Sequence, residues 1–291
     1  MFKVAILGCE NSHANTFMNY ITKSQKFPDL QIVGVYSDEP AACEKLHNNF
    51  GLYVAKSYDE FVGKIDGLII TARHGDNHYK YAKPYLESGI PMFIDKPITI
   101  SEEEAVQFAR ELSENNVRIT GGSCLIHERV IKNLRQIVQD KTYGEVLGGH
   151  FRAPLDMENP YGGFFFYSQH LVQMVCEVFG YYPESVRMCQ TPNAYTAVFR
   201  YKDHIVTANY MDEDRIPVYY ASIDCQQQIV GERCDLKGCF DTEFDEFYAL
   251  LRGGQQKQSY ADFIAPVFIL NAMYRSLCSG QEEKIRKAEE I

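Results

Sequence analysis

Over its first 120 residues the chain alternates short apolar runs with segments of helical periodicity. The runs are rich in Ile, Val and Leu and are short enough to be strands buried on both faces. They span residues 4–7, 31–36, 67–71, 92–94 and 117–120. Strands that alternate with helices form a parallel sheet with right-handed crossovers. Residues 1–120 are therefore predicted to form a doubly wound α/β domain.

Local signals mark where the helices between these strands begin and end. The capping-box pattern Ser-x-x-Glu occurs at residues 57–60 and 101–104, and it predicts a helix start at each place. Gly51 and Gly89 stand where helices are expected to end, because glycine readily adopts the left-handed conformation that follows many helices.

After residue 120 the pattern changes. Residues 185–240 alternate apolar and polar positions, which predicts an antiparallel sheet with one face on a core. Helical periodicity occurs at residues 127–139, 167–179, 243–252 and 260–278, and a strand is predicted at 145–152. The charged residues 281–291 are expected to form a tail or a frayed helix end. Residues 121–291 are therefore predicted to be a second, α+β domain with a mainly antiparallel open sheet.

The charge balance limits the class of partner. The chain has 29 Lys and Arg against 39 Asp and Glu, a net charge of −10. An acidic surface disfavours non-specific binding to nucleic acid or anionic membranes. No run approaches the roughly 20 apolar residues of a membrane span, and the apolar start MFKVAILG is too short for a signal peptide. We therefore expect a cytoplasmic protein that binds neither nucleic acid nor membrane.

Nine cysteines are spread along the chain without a C-x-x-C motif. An odd count at wide spacing predicts reduced thiols rather than a disulfide framework. Cys225, Cys234 and Cys239 form the only close group, and three thiolates can ligate zinc, but their spacing is not typical of a zinc site. We therefore expect no metal.

The turn after the first predicted strand, residues 8–13, is where a Rossmann-type fold carries the dinucleotide-binding pattern G-x-G-x-x-G. Only Gly8 keeps the pattern, since Glu10 takes the second glycine position and His13 the third. Asn11 and Ser12 can cap the following helix, whose N terminus attracts phosphate. These five residues are candidate cofactor contacts, although they also suit an ordinary strand-to-helix turn.

Glu10 is expected to weaken cofactor binding, because its carboxylate and a pyrophosphate carry like charges. Replacement of Glu10 by glycine is accordingly expected to tighten it.

The end of the second predicted strand bears on the choice of cofactor. A dinucleotide fold places an acid there to bind the adenosine ribose hydroxyls. This chain has Ser37 in the usual position and Asp38 one residue later. Asp38 favours NAD, whereas Ser37 also suits the 2′-phosphate of NADP, for which no adjacent arginine is present. We therefore favour NAD over NADP, the alternative being a surface turn at the start of a helix.

Another signal is Asp95-Lys96-Pro97, which follows the fourth predicted strand. The proline fixes the turn and holds Lys96 at the carboxyl edge of the parallel sheet, where doubly wound folds bind ligands. A lysine there can hydrogen-bond a substrate hydroxyl or assist proton transfer. The alternative is a surface lysine in an ordinary loop.

Residues 78–97 resemble a sequence block of the glucose–fructose oxidoreductase and inositol dehydrogenase family (Gfo/Idh/MocA). The family block reads H…G-x-x-V-x-x-E-K-P, and the matching residues here are His78, Gly89 and Asp95-Lys96-Pro97. Gly144-Glu145-Val146 resembles the G-E-V of that family, and residues 245–247, 253 and 261–280 resemble its closing helices. The chain departs from the family in having Asp for Glu before Lys96, in two of the three glycine positions of the first turn, and in being shorter than most members.

A second family motif follows a glycine pair and reads roughly D-x-G-x-H-x-x-D. The matching stretch follows Gly162-Gly163 and places Phe166, His170 and Gln173 at i, i+4 and i+7, on one helical face. Of these only His170 can transfer a proton near neutral pH. It is therefore our candidate acid/base, the alternative being a histidine on a packed helix face.

The resemblance implies an NAD(P)-dependent oxidoreductase that transfers a hydride between the nicotinamide and a carbinol or carbonyl carbon of a sugar, inositol or related polyol. By resemblance Lys96 orients the substrate hydroxyl and lowers its pKa, and His170 transfers the proton. The resemblance also implies that the open sheet forms the interface of a homo-oligomer, a dimer or tetramer. Further cofactor contacts are expected at Thr71, His74, His78 and Asp95. Because both carboxylates of the second motif are missing, the alternative is a catalytically degenerate member that binds a small ligand or acts as a regulatory or assembly protein.

Overall fold

The computed structural model describes residues 1–212 and 218–287, with the backbone only at residue 212. Its strands are β1 Phe2–Leu7, β2 Leu30–Tyr36, β3 Gly67–Ile70, β4 Met92–Asp95, β5 Ile119–Gly122, β6 Val146–Leu155, β7 Ser185–Thr191, β8 Ala194–Arg200, β9 Ile205–Asp212, β10 Tyr219–Cys225, β11 Ile229–Cys234 and β12 Glu282–Lys284. Its helices are α1 Ser12–Ser24, α2 Pro40–Phe50, α3 Asp76–Ala82, α4 Glu102–Glu114, α5 Arg129–Asp140, α6 Phe164–Phe179, α7 Cys239–Leu251 and α8 Tyr260–Ser279. Short 3₁₀ helices cover Lys83–Ser88 and Cys124–His127.

The chain forms two compact units. The first unit contains Met1–Thr99, Glu103–Gly122 and Phe240–Tyr260, and the second contains Ile100–Glu102, Ser123–Cys239 and the residues from Ala261 onward. The sequence predicts two consecutive domains, whereas the first unit also takes in residues 240–260. Residues 240–260 join the first unit through aromatic packing. The ring centroid of Phe244, on α7, lies 5.4 Å from that of Phe17 and 5.0 Å from that of Phe27.

The sheet of the first unit has the order β2-β1-β3-β4-β5, and all of its neighbours run parallel. The predicted doubly wound α/β fold is thus confirmed. Val54 forms a single parallel bridge to Val35 on the open side of β2. β5 begins two residues later than the apolar run that predicted it. The carboxyl ends of β1, β2, β3 and β4 meet at one edge, which places the loops that follow them side by side.

Three of the four predicted helix boundaries are confirmed. α4 begins at Glu102, next to the second capping box, while α2 and the 3₁₀ helix before β4 end at Gly51 and Gly89 with φ of 69° and 63°. The helix start at Ser57 is wrong, since residues 57–64 form turns. There the Ser57 hydroxyl donates to Asp59 Oδ1 at 2.5 Å, and Gly63, at φ 71°, cannot continue an α-helix.

The second unit contains a seven-stranded sheet in the order β11-β10-β6-β9-β8-β7-β12. β6 and β9 run parallel, and every other neighbouring pair runs antiparallel. The predicted, mainly antiparallel sheet is confirmed. Helices α5 and α6 pack beside it, and α6 begins at Phe164, three residues before the predicted start.

The prediction of a charged tail or frayed helix end is wrong for Glu282–Lys284, which form strand β12 against β7. The Glu282 carboxylate accepts hydrogen bonds from the Ser185 hydroxyl and, at 3.2 Å, from Arg200 Nε. Backbone pairing with β7, a serine hydrogen bond and one ion pair therefore join this segment to the sheet edge. Residues 288–291 of the predicted tail lie outside the described residues.

Candidate functional site

The turn after β1 depends on Gly8. Its φ is 72°, and a Cβ at this position would lie 2.4 Å from both Cα and N of Ala72. The Thr71 hydroxyl donates to the Gly8 carbonyl at 3.0 Å and is fully buried. The predicted cofactor residues Gly8 and Thr71 therefore meet, and the Thr71 hydroxyl holds the turn against the loop after β3.

We expect Gly8→Ala to lower the free energy of unfolding by more than the roughly 1–2 kcal/mol that a left-handed conformation costs alanine. Gly51→Ala is the matched control, because Gly51 has a φ of 69° with no atom within 4 Å of the added Cβ. Urea unfolding measures both variants. Equal losses would contradict a requirement for close approach at Gly8.

The start of α1 is joined to the end of β4 by a buried carboxylate. Asn11 caps α1 by accepting the His13 N–H at 3.3 Å, and its Nδ2 donates to Asp95 Oδ2 at 3.0 Å. The same Asp95 oxygen lies 2.6 Å from His13 Nδ1, and Asp95 Oδ1 accepts the Lys96 N–H at 2.7 Å. Three sequence-predicted residues, Asn11, His13 and Asp95, thus converge beside Lys96.

Asp95 is ionised although it is fully buried. Burial raises its pKa, but the charge and hydrogen bond of His13 and the charge of Lys96 outweigh burial, so the pKa lies below its usual value. This buried charge gives a rigid polar centre at the carboxyl edge of the sheet.

Glu10 turns away from the helix start. Its Oε2 accepts the Ser37 hydroxyl at 2.5 Å, and its Oε1 accepts the Arg73 N–H at 2.9 Å. Since Ser37 follows β2 and Arg73 follows β3, the carboxylate bridges the loops on either side of β1. The expected repulsion between Glu10 and a pyrophosphate at α1 assumes a different orientation of this side chain.

Asp38, the predicted ribose ligand, is engaged by other side chains. Its Oδ1 accepts the Tyr36 hydroxyl at 2.6 Å, and its Oδ2 accepts the Tyr81 hydroxyl at 2.8 Å and Lys80 Nζ at 3.2 Å. The Tyr36 hydrogen bond is the main cause of a lowered Asp38 pKa, and Asp38 in turn raises the pKa of Tyr36 to about 12.

His74 and His78 differ in environment. His74 is partly exposed beside Asp76, with 3.7 Å between Nδ1 and Oδ2, at the start of α3. His78 is fully buried, with Nε2 2.9 Å from the Ala72 carbonyl and Nδ1 3.3 Å from the Ile98 carbonyl. Burial lowers the pKa of His78, which keeps the ring neutral. His78 therefore links the loops after β3 and β4.

Sequence reasoning missed Glu243, on α7. Its side chain is fully buried, and neither carboxylate oxygen has a hydrogen-bond partner among residues 1–212 and 218–287. Burial and then the charge of Asp95 raise its pKa well above the usual value, while Lys96 acts in the opposite direction. Glu243 is therefore a neutral acid near Asp95 and Lys96. Its spacing from Phe240 and Phe247, three and four residues away, is the signal that places it on the apolar face.

In the second unit His170 lies on α6 and is almost fully buried. Its Nδ1 is 2.7 Å from the Ser123 hydroxyl, and the Ser123 N–H donates to Gln173 Oε1 at 2.7 Å. Gln169 Nε2 also donates to Gln173 Oε1, at 2.8 Å. Gln173, at a position where the family motif has Asp, thus anchors the residue that orients His170. No periodicity in the sequence marks Ser123 for this contact.

We expect Ser123→Ala to lower kcat about tenfold with little change in KM, because the Ser123 hydroxyl lies 2.7 Å from Nδ1 of His170, the candidate acid/base, and would orient its ring. Ser123→Thr keeps the hydroxyl and should restore most of the rate. Steady-state kinetics across pH measures both variants. An unchanged pH profile and kcat in Ser123→Ala would contradict a positioning role.

The nine cysteines are free thiols. Within the described part of the chain, no group of three His, Cys, Asp or Glu side chains is arranged to hold a metal ion, Cys225, Cys234 and Cys239 included. No helix there is both long enough and apolar enough to cross a membrane.

A family model described as "Oxidoreductase family, NAD-binding Rossmann fold" (Gfo/Idh/MocA) matches residues 2–123. The chain is similar to the solved myo-inositol 2-dehydrogenase of Lactobacillus plantarum, at a TM-score of 0.85 and 14% identity over 98% of this chain and 99% of that one. It is also similar to the WlbA dehydrogenase of Bordetella pertussis in complex with NADH and UDP-GlcNAcA, at a TM-score of 0.82 and 15% identity over 98% and 99% of the two chains. At these identities the similarity establishes the fold.

An uncharacterized oxidoreductase of Streptococcus pneumoniae serotype 4 is 24% identical over 176 residues. This match covers 56% of the chain and 47% of the relative, so the chain spans about half the length of the curated relative it matches.

Proposed function

We propose that the protein transfers a hydride between a nicotinamide dinucleotide and a hydroxyl-bearing carbon of a sugar, inositol or related polyol, because residues 2–123 match the model of an oxidoreductase family with an NAD-binding Rossmann fold. The observation that carries this proposal is the buried cluster of Asn11, His13 and Asp95 beside Lys96. It joins the start of α1 to the end of β4, the place where a doubly wound fold binds its ligand.

The residues of the first unit fit a dinucleotide. A Cβ at Gly8 would collide with Ala72, so the turn keeps bare backbone at its closest approach. The amides at the start of α1 point out of the helix, and the helix dipole favours an anion there. Asn11 caps only the His13 amide, and Glu10 is held at the end of β2. Residues 8–13 would therefore hold the pyrophosphate.

The bound nicotinamide would supply the hydride acceptor or donor. Lys96 would hydrogen-bond the substrate oxygen and favour its ionised form, and the Asp95 carboxylate, which accepts the Lys96 backbone N–H at 2.7 Å, would fix the backbone at this position. Neutral Glu243 adds no further negative charge near that pair. His170 would take the substrate proton on Nε2 during oxidation and return it during reduction, with Nδ1 held by Ser123.

The substrate class is proposed from the relatives. One similar structure is named a myo-inositol 2-dehydrogenase, and another was solved with NADH and UDP-GlcNAcA. Both names point to rings with several hydroxyl groups. Phe166, at a position where the family motif has Asp, replaces a carboxylate with an aromatic face, which suits a less polar or stacked sugar ring.

A homo-oligomer, a dimer or tetramer, is part of the proposal. The sheet of the second unit exposes large apolar side chains at Leu147, Ile205 and Ile229, by 58%, 43% and 72%. A second copy of this chain would cover them. Light scattering on the purified protein measures the mass.

The activity is tested by incubating the full chain with NAD or NADP and a panel of inositols, hexoses and sugar acids. Appearance of reduced nicotinamide with at least one polyol, and its absence in Lys96→Met, is the expected result. A protein that binds dinucleotide but oxidises no member of the panel would favour the second candidate, a degenerate family member. The observation in favour of that candidate is the replacement of both motif carboxylates by Phe166 and Gln173.

A further inference from the structure

The carboxylate nearest the usual ribose position belongs to Glu10, in the turn after β1, and not to a residue at the end of β2. A dinucleotide fold places an acid at the end of its second strand to bind the adenosine ribose hydroxyls. Here Ser37 has that position, and a serine hydroxyl carries no charge. Glu10, 27 residues earlier in the chain, brings its Oε2 to 2.5 Å from the Ser37 hydroxyl. A carboxylate thus lies one hydrogen bond from the expected position.

Two backbone amides hold this arrangement. The Ser37 oxygen accepts the Glu39 N–H at 3.0 Å, so the single hydroxyl proton of Ser37 is donated to Glu10. The Arg73 N–H binds the other Glu10 oxygen at 2.9 Å. Since both contacts involve loops that directly follow strands of the sheet, the Glu10 carboxylate has a fixed position before any ligand binds.

The hydrogen-bonding capacity of the two acids differs. A carboxylate has about four lone-pair sites, two on each oxygen. Among residues 1–212 and 218–287, one donor binds each Glu10 oxygen, which leaves one site on each for the two ribose hydroxyls. Asp38 accepts two hydrogen bonds on Oδ2 and one on Oδ1, which leaves a single site. Only Glu10 has room for both hydroxyls.

Rotation of the Asp38 side chain toward a ribose would also break existing hydrogen bonds. The ring of Tyr81 is fully buried, and its hydroxyl donates to Asp38 at 2.8 Å. A rotation of Asp38 toward a ribose would leave this buried hydroxyl without its acceptor, which is unfavourable. The same rotation would separate Asp38 from Lys80.

We infer that Glu10 binds the adenosine ribose hydroxyls and selects NAD over NADP, an inference that rests on the dinucleotide site of the proposed function. NADP carries a phosphate in place of the 2′-hydroxyl. That phosphate has no proton to donate to Glu10, and its charge is repelled by the carboxylate. The sequence-based expectation for Glu10 is therefore reversed, because the side chain supports the cofactor rather than obstructing it.

Calorimetric titration of the full chain with NAD and with NADP tests the inference without relying on turnover. Wild-type protein should bind NAD at least about tenfold more tightly than NADP, since a hydrogen bond to a charged group contributes about 1.5–3 kcal/mol. Glu10→Gln keeps the size of the side chain and removes its charge. It should weaken NAD binding about tenfold and bring the two dissociation constants to within about threefold of each other.

Asp38→Asn is the matched control, because it removes one carboxylate from the same region. It should change the NAD dissociation constant by less than about threefold and keep the preference for NAD. Glu10→Gly, which restores the glycine of the usual motif, should also weaken NAD binding. It keeps the inference testable if Glu10→Gln fails to fold.

Three results would overturn the inference while leaving the proposed function intact. The first is a wild-type protein that binds NAD and NADP equally, and the second is loss of the preference in Asp38→Asn with its retention in Glu10→Gln. The third is tighter NAD binding by Glu10→Gly. If wild-type protein binds neither dinucleotide, the proposed function and the inference both fail.

Discussion

Replacement of Lys96 by methionine is expected to lower kcat about 100- to 10,000-fold, because the variant keeps the apolar stem and loses the ammonium group proposed to hydrogen-bond the reacting oxygen. The NAD dissociation constant should change by less than about threefold, since Lys96 is assigned to substrate and not to the dinucleotide. Steady-state kinetics on the best polyol and calorimetry with NAD measure the two quantities.

Lys257→Met is the matched control for this variant. Lys257 also belongs to the first unit, but its side chain is exposed and pairs with Glu246 at 2.5 Å. A surface pair of this kind contributes little to stability, so kcat and melting temperature should stay near the wild-type values. If Lys96→Met retained wild-type kcat, Lys96 would not be a catalytic residue.

His170→Asn is the second change with a large expected effect. Loss of the ring proposed to transfer the proton should lower kcat about 100- to 10,000-fold, while asparagine retains a polar group beside Ser123. His170→Gly should behave similarly and should recover part of the rate when imidazole is added to the buffer. Chemical rescue separates loss of proton transfer from a general change in structure.

His150→Asn serves as the control for a histidine of the second unit. His150 lies on β6 with Nδ1 2.9 Å from the Thr207 hydroxyl, and no step of the proposed reaction uses it. It should retain wild-type turnover. Wild-type kcat in His170→Asn, or His170→Gly that is inactive and insensitive to imidazole, would argue that another group moves the proton.

The parallel sheet is predictable because its strands are buried on both faces and therefore appear as continuous apolar runs. Prediction from local patterns fails at Ser57, where the capping-box residues are present. There the Ser57 hydroxyl donates its hydrogen bond to Asp59, and the positive φ of Gly63 is incompatible with a continuing helix. Such prediction also fails at Glu282, because strand β12 is held by contacts with Ser185 and Arg200, which are distant in sequence. Local patterns cannot report such contacts.

In the candidate site, too, some residues are predictable from the sequence and others are not. Strand periodicity places Asp95 and Lys96 at the carboxyl edge of the sheet, and helical periodicity places His170 on a helix face. The family resemblance then selects these residues as candidates. Sequence reasoning does not give the direction of the Glu10 side chain, which is set by hydrogen bonds to the loops after β2 and β3. It also misses Glu243 and Ser123, because neither belongs to the motifs that carry the family resemblance.

The central claim is that the first unit binds a nicotinamide dinucleotide although two glycines of its turn are replaced. Thermal unfolding of the full chain with NAD, NADH, NADP or NADPH tests it most directly. At about 100 times its dissociation constant a ligand stabilises the folded state by about 2.7 kcal/mol, so NAD or NADH should raise the melting temperature by several degrees. An unchanged melting temperature with all four nucleotides at millimolar concentration, with no heat of binding, would contradict the claim.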